Sequence, residues 1–318
     1  MLGFLEQFPE MVEEAAKLGR DVKVKGKFRN ILVAGMGGSG IAGDLLQDYL
    51  KTVPVAVSKG YDVPDWVGRE TLVFVVSHSG NTEETISMWR QAQKKGAKTI
   101  AIASGGKLGK AKTKVVIPGG MPPRCALPYL FIPILVVLNK LRIVKGLDKE
   151  VKDAVKTLKA FRNMHTMKLA KRLAERLYKH VPALYASDRY KAVVKRWRKQ
   201  FNENSKTIAV SNYVPELNHN EVTGYANPKM RGVFSVVVLK DKMDSPKIKK
   251  RMELTVKAVK DSGSEVTVLS IPKGNQLSKI LTSVYFGDWV SYFLAKEYGV
   301  EPKETKLQEE LKKKMAEK

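Results

Sequence analysis

The stretch ILVAGMGGSGIAGD, residues 31–44, decides the fold. An apolar run, 31–34, stops at Gly35. Four of the six residues from Gly35 to Gly40 are glycine, Ser39 sits among them, and an apolar, helix-compatible segment follows from Ile41. This is the pattern of a strand, a tight glycine turn and a helix N-terminus. Such a turn presents backbone N–H groups and the positive end of a helix, which suits an anion such as phosphate.

A second turn of the same kind follows in LVFVVSHSGNTEET, residues 72–85. A β-rich run ends in Ser77, Ser79, Gly80, Asn81 and Thr82, and a helix is expected to start there. Asn81 or Thr82 is placed to cap it, and Glu83 and Glu84 complement its positive end. In a parallel sheet, where ligands bind beyond the carboxyl ends of the strands, the two turns can converge on one phosphate. Gly38 and Ser39 from the first turn and Ser77, Ser79 and Thr82 from the second are the candidate ligand-binding residues. Nucleotide readings fit less well. Gly35, Gly37 and Gly40 match G-x-G-x-x-G, but the next strand ends in Ser58, Lys59 and Gly60 rather than in the acidic residue a dinucleotide site uses. No G-x-x-x-x-G-K-[ST] occurs.

Outward from these turns the chain has a βα rhythm. Strands are expected at 31–34, 53–57, 72–76, 99–103 and 114–117, with helices at 41–51, 82–95 and 127–141. After a charged helical segment, 149–176, the rhythm restarts, with strands at 183–186, 207–210, 233–239 and 265–270 and helices at 189–203, 245–261 and 276–298. This predicts two α/β domains with parallel sheets, 1–148 and 149–318, the second a copy of the first architecture. The 318 residues suffice for two such cores.

Composition narrows the function classes. With Cys125 the single cysteine, no intrachain disulfide forms, and a reducing cytoplasm fits. The start of the chain is acidic and amphipathic, unlike a signal peptide. The longest apolar run, 126–138, contains two prolines and is too short to span a membrane. Lys plus Arg number 57 against 32 Asp plus Glu, a net charge of +25. The basic residues are interleaved with acids on helical faces, and no nucleic-acid-binding signature accompanies them, so no specific nucleic-acid partner is expected. A positive field would also steer a dianionic sugar phosphate.

The two turns together with PPRCALPY (122–129), FNENSK (201–206), PELNHN (215–220) and GVEPKETKLQEELK (299–312), in this order along nearly the whole chain, resemble the archaeal and bacterial bifunctional phosphoglucose/phosphomannose isomerases. The resemblance implies two SIS-type three-layer domains of the phosphoglucose isomerase kind. It also implies an aldose–ketose isomerase of glucose 6-phosphate, mannose 6-phosphate and fructose 6-phosphate, acting in glycolysis and gluconeogenesis. A homodimer is implied, without metal or cofactor. Moving a proton between C2 and C1 needs an opened ring, a base, and a positive group for the enediolate. A non-catalytic phosphosugar-binding regulator and an isomerase of another sugar phosphate remain alternatives.

The resemblance distributes these roles. Glu203 is the proton-transferring base, although the residues alone read as a surface glutamate facing Arg198 or Lys199. His219, on its own a loop histidine whose titration range suits proton exchange near neutrality, becomes a ring-opening acid–base group supplied by a neighbouring subunit. Arg124, otherwise a solvated loop arginine, stabilises the enediolate. Lys312, seven residues after Thr305, assists ring opening, with Lys313 and Lys314 as neighbouring registers. Thr305 leaves space near C2 for both sugars. Glu301 stands where the family more commonly has aspartate. Cys125 is expected to be packed, and His78 to be a turn residue.

Overall fold

The computed structural model describes residues 1–316. These form two compact units. One comprises Gly3–Arg162 with Pro272–Ser283; the other comprises Asn163–Ile271 with the chain from Val284 onward and the first two residues.

The first unit starts with two short helices, α1 (Leu2–Glu6) and α2 (Phe8–Ala15). There follow β1 (Asn30–Ala34), α3 (Gly37–Tyr49), β2 (Val55–Ser58), β3 (Thr71–Val76), α4 (Glu83–Lys94), β4 (Lys98–Ala103), β5 (Lys114–Val116), α5 (Leu127–Lys140) and α6 (Leu147–Phe161). The five strands form one parallel sheet in the order β2-β1-β3-β4-β5. Every residue of β3 is buried, as in a central strand covered on both faces. Leu32, Ala34, Val73, Val75, Ala101 and Ala103 pack with Met88 and Ala92 of α4. Beneath β1 runs α3, so close that a Cβ on Gly43 would stand 2.7 Å from that of Val33. Buried from Leu127 to Leu138, α5 packs against α2 and α3, which is why it is apolar all round.

The second unit contains α7 (Met164–Leu177), β6 (Val181–Ser187), α8 (Lys191–Asn204), β7 (Val210–Val214), β8 (Phe234–Lys240), α9 (Pro246–Asp261) and β9 (Glu265–Ser270). It is completed by most of α10 (Gln276–Glu297) and by α11 (Lys306–Ala316). Its parallel sheet has the order β7-β6-β8-β9, repeating the β2-β1-β3-β4 arrangement, so the architecture is copied as expected. Ala183, Tyr185, Val236 and Val238 pack with Met252 and Val259 of α9. In the core, Arg196 of α8 donates to both oxygens of Asp288 on α10, at 3.2 and 3.0 Å. Burial raises the Asp288 carboxyl and the guanidinium opposes it.

Three elements differ from the expectation. The charged segment expected at 149–176 is two helices, α6 and α7, because Asn163 caps a new helix by accepting the Thr166 N–H, and α6 belongs with the first unit rather than the second. The helix expected from residue 41 begins at Gly37, so the glycine turn is itself the first turn of α3. The strand expected at 207–210 is β7 at Val210–Val214, because α8 closes through residue 207, whose N–H bonds the Phe201 carbonyl at 3.1 Å. No helix among the described residues is long and apolar enough to cross a membrane.

Candidate active site

The carboxyl ends of β1 and β3 are neighbours in the sheet, and both strands end in a turn that opens a helix. Gly35 is squeezed where they meet: a Cβ there would lie 2.7 Å from the Val76 carbonyl oxygen. Gly38 and Ser39 sit in the first turn of α3, where backbone N–H groups have no acceptor within the helix. The Ser39 Oγ accepts the backbone N–H of His78 at 3.3 Å and so joins the two turns.

The second turn is held by its own hydroxyls. Ser77 Oγ accepts the Gly80 N–H at 3.1 Å and shares a hydrogen bond of 2.8 Å with Thr82 Oγ1. Of the two hydroxyl protons, one is used between them and the other can be donated to an anion. Thr82 is the N-cap of α4 by backbone geometry, yet its side chain does not cap, because it turns to Ser77 instead. Ser79 is exposed, and its Oγ accepts the Asn81 N–H at 3.3 Å. His78 is buried, as a turn residue, with its Nε2 3.2 Å from the Pro118 carbonyl oxygen. Burial lowers its pKa and the Pro118 hydrogen bond partly opposes this.

Arg124 follows β5 in the turn before α5 and is buried, only 4% exposed, rather than solvated. Its Cα would lie 3.4 Å from a Cβ on Gly38, so the backbones of Arg124 and the first turn touch. Cys125 is buried beside it. Gly38, Ser39, Ser77, Ser79, Thr82 and Arg124 are thus gathered at one edge of the first sheet. Lys59 escaped the sequence reading. It stands at the end of β2 over Gly40 and pairs with the buried Asp44 of α3. Its only sequence signal is its place directly after the second strand.

In the second unit, Glu203 is half-buried in the last turn of α8. The adjacent Asn204 is buried and donates to Ser291 Oγ of α10 at 2.9 Å. Lys206 Nζ donates to the carbonyl oxygens of Glu203 (3.0 Å), Asn204 (3.3 Å) and Glu301 (2.7 Å). This brings the Glu203 turn beside the segment that leads to Thr305. Thr305 is half-buried at the start of α11, where its hydroxyl donates to Glu309 at 3.1 Å. Lys312 is exposed on α11. Seven residues of helix place it within about 20° of the Thr305 direction, with Lys313 about 80° away and Lys314 opposite.

His219 is exposed at the end of a 3-10 turn, Glu216–His219. The turn is bolted on both sides. Asn218 donates to Thr255 of α9 at 2.7 Å, and the carboxylate of Glu221 accepts from Tyr185 and Asn212 of the sheet, each at 2.6 Å. Because β6 and β7 are parallel, α8 returns to the amino end of β7 while His219 lies beyond its carboxyl end. Glu203 of one chain therefore lies toward the amino end of β7 and His219 beyond its carboxyl end, at opposite edges of the second sheet.

Comparison with known proteins adds to this geometry. Residues 166–315 match the bacterial phospho-glucose isomerase C-terminal SIS domain family, and residues 27–116 match the SIS domain family. The bifunctional phosphoglucose/phosphomannose isomerase of Caldicellulosiruptor bescii is 37% identical, covering 97% of this chain and 97% of that protein. That of Aquifex aeolicus is 36% identical over 98% of this chain and 97% of its own. The C-terminal domain of glucosamine-fructose-6-phosphate aminotransferase from Francisella tularensis has a similar structure, with a TM-score of 0.74, 15% identity, and coverage of 96% of this chain and 97% of that one.

Proposed function

The chain belongs to the bifunctional phosphoglucose/phosphomannose isomerase family, and on that premise we propose that it interconverts glucose 6-phosphate and mannose 6-phosphate with fructose 6-phosphate through an enediolate. The observation that carries the reading is the Ser39–His78 hydrogen bond, which makes one cradle of two turns that each offer hydroxyls and helix N–H groups. The phosphate of the substrate takes the cradle. His219 and Lys312 exchange protons with the ring oxygen and the hydroxyl to open the sugar. Glu203 carries the proton between C2 and C1, and the Arg124 guanidinium offsets the charge that develops on the enediolate. Thr305 leaves room at C2 for either epimer.

His219 acts on a neighbouring subunit in this reading. The support is its position: it projects from a rigid turn at the sheet edge opposite Glu203 of its own chain. The working enzyme is then a homodimer of the cytoplasm.

Subunit complementation tests the arrangement. Glu203→Gln and His219→Ala should each lower turnover at least about a hundredfold. Refolded together in equal amounts, they should recover roughly one quarter of wild-type activity, since half of the dimers then hold one intact site of two. A mixture no more active than its parents rules out the exchange of His219 between subunits.

A further inference from the structure

Lys206 has an unusual backbone. Its φ is +54°, in the left-handed region that L-residues with a Cβ avoid and that glycine usually fills after a helix. It lies just past the C-cap of α8, three residues after Glu203. A strained backbone persists where the surroundings demand it, and such positions cluster at functional sites. The demand here comes from the side chain. Its ammonium is held at the helix C-terminus, the favourable end for a cation, by the carbonyls of Glu203 and Asn204. It then reaches the Glu301 carbonyl, 95 residues further along the chain, at 2.7 Å.

What lies beyond Glu301 gives the bond its consequence. Pro302 is buried, and the Glu301 carboxylate accepts the Lys303 N–H at 3.0 Å, so the segment from 301 onward is a compact turn rather than a loose tether. Thr305 follows and opens α11 through the Glu309 N–H bond to its carbonyl at 3.0 Å. A glycine at 206 would satisfy the backbone, but only a long cation joins three carbonyls of two segments.

We infer that Lys206 is a positioning residue: its ammonium sets the 299–305 segment, and with it Thr305 and the helix of Lys312, against the end of the helix that bears Glu203. This rests on the isomerase reading above. In this role Lys206 acts through the segments it joins rather than on the sugar itself. It fixes the distance between a base, a steric selector and a ring-opening cation contributed by two separated stretches of sequence.

The test uses Lys206→Met, which removes the ammonium and keeps the stem, and Lys206→Gly, which removes both it and the backbone strain. Lys206→Arg keeps a long cation. Misplacing a catalytic group by about 1 Å costs on the order of a hundredfold. The Met and Gly variants should therefore lose about ten- to a hundredfold in kcat with KM for the sugar phosphate little changed, and should shift the mannose-to-glucose ratio of kcat/KM. The Arg variant should recover most of the loss. Hydrogen exchange should quicken at the amides of 299–311 and stay as in the wild type at those of 35–40 and 77–82. Exchange at 299–311 unchanged in both Met and Gly variants overturns the inference whatever the activity. So does wild-type kcat with an unchanged sugar ratio. If the wild type lacks isomerase activity, the isomerase reading fails, and the exchange measurement still decides whether the ammonium holds the segment.

Discussion

The Oγ of Ser39 accepts the backbone N–H of His78 at 3.3 Å, tying the first turn of one helix to the strand end that opens the next. The two residues are 39 positions apart, and each belongs to a strand-to-helix turn with its own N–H groups and hydroxyls. A phosphate set between them would be met from both sides.

Ser77 and Thr82 should supply hydroxyl donation to that phosphate. The double variant Ser77→Ala, Thr82→Ala removes the one hydrogen bond to a charged group that the pair can donate, about 1.5–3 kcal/mol, so Kd for a sugar phosphate should rise roughly tenfold to a hundredfold. The α4 helix should survive, because the Thr82 side chain does not cap it. Calorimetric titration with fructose 6-phosphate and with inorganic phosphate measures both affinities. Unchanged affinity for both ligands places the cradle elsewhere.

Thr305 should govern the choice of sugar. Glucose and mannose 6-phosphates differ in configuration at C2 and give the same enediolate if the open chain can rotate about C2–C3. In the proposed site, Thr305→Gln adds heavy atoms where that rotation needs space. Steric exclusion of this kind exceeds the ~1–3 kcal/mol available from one methylene of pocket contact. Mannose 6-phosphate turnover should fall at least about tenfold more than glucose 6-phosphate turnover. The comparison is of kcat/KM for the two sugars in both proteins, and an equal ratio excludes Thr305 as the selector.

His78 should make the fold sensitive to mild acid. Burial lowers its pKa in the folded state below the usual 6.5, so between the two values the unfolded chain binds more protons. Stability then rises with pH in that window and falls as pH drops below about 6.5. Thermal melts between pH 7.5 and pH 5 should show a decline that is shallower in His78→Gln, the range being chosen around the ordinary histidine pKa. Parallel curves for the two proteins would mean that another group sets the slope.

The parallel α/β architecture was legible because alternating apolar runs and glycine-serine turns are local signals. Residues 31–44 contain a strand, a turn and a helix start in sequence order, and only the helix start moved, to Gly37. The turn residues were legible for the same reason. What the sequence hid was non-local. Nothing in FNENSK reveals that Lys206 reaches residue 301, and nothing after the second strand announces that Lys59 folds back onto Asp44. The burial of Arg124 was hidden too, since on sequence alone a cation before an apolar helix reads as solvated.

Incubation of the purified chain in deuterated buffer with a chelator, first with glucose 6-phosphate and then with mannose 6-phosphate, separates an isomerase of both sugars from a protein that only binds them. Proton NMR should show fructose 6-phosphate formed from both sugars, with solvent deuterium at C1 in part of the product, as expected when a carboxylate carries the proton and exchanges it. Absence of turnover with both sugars rules out the isomerase function.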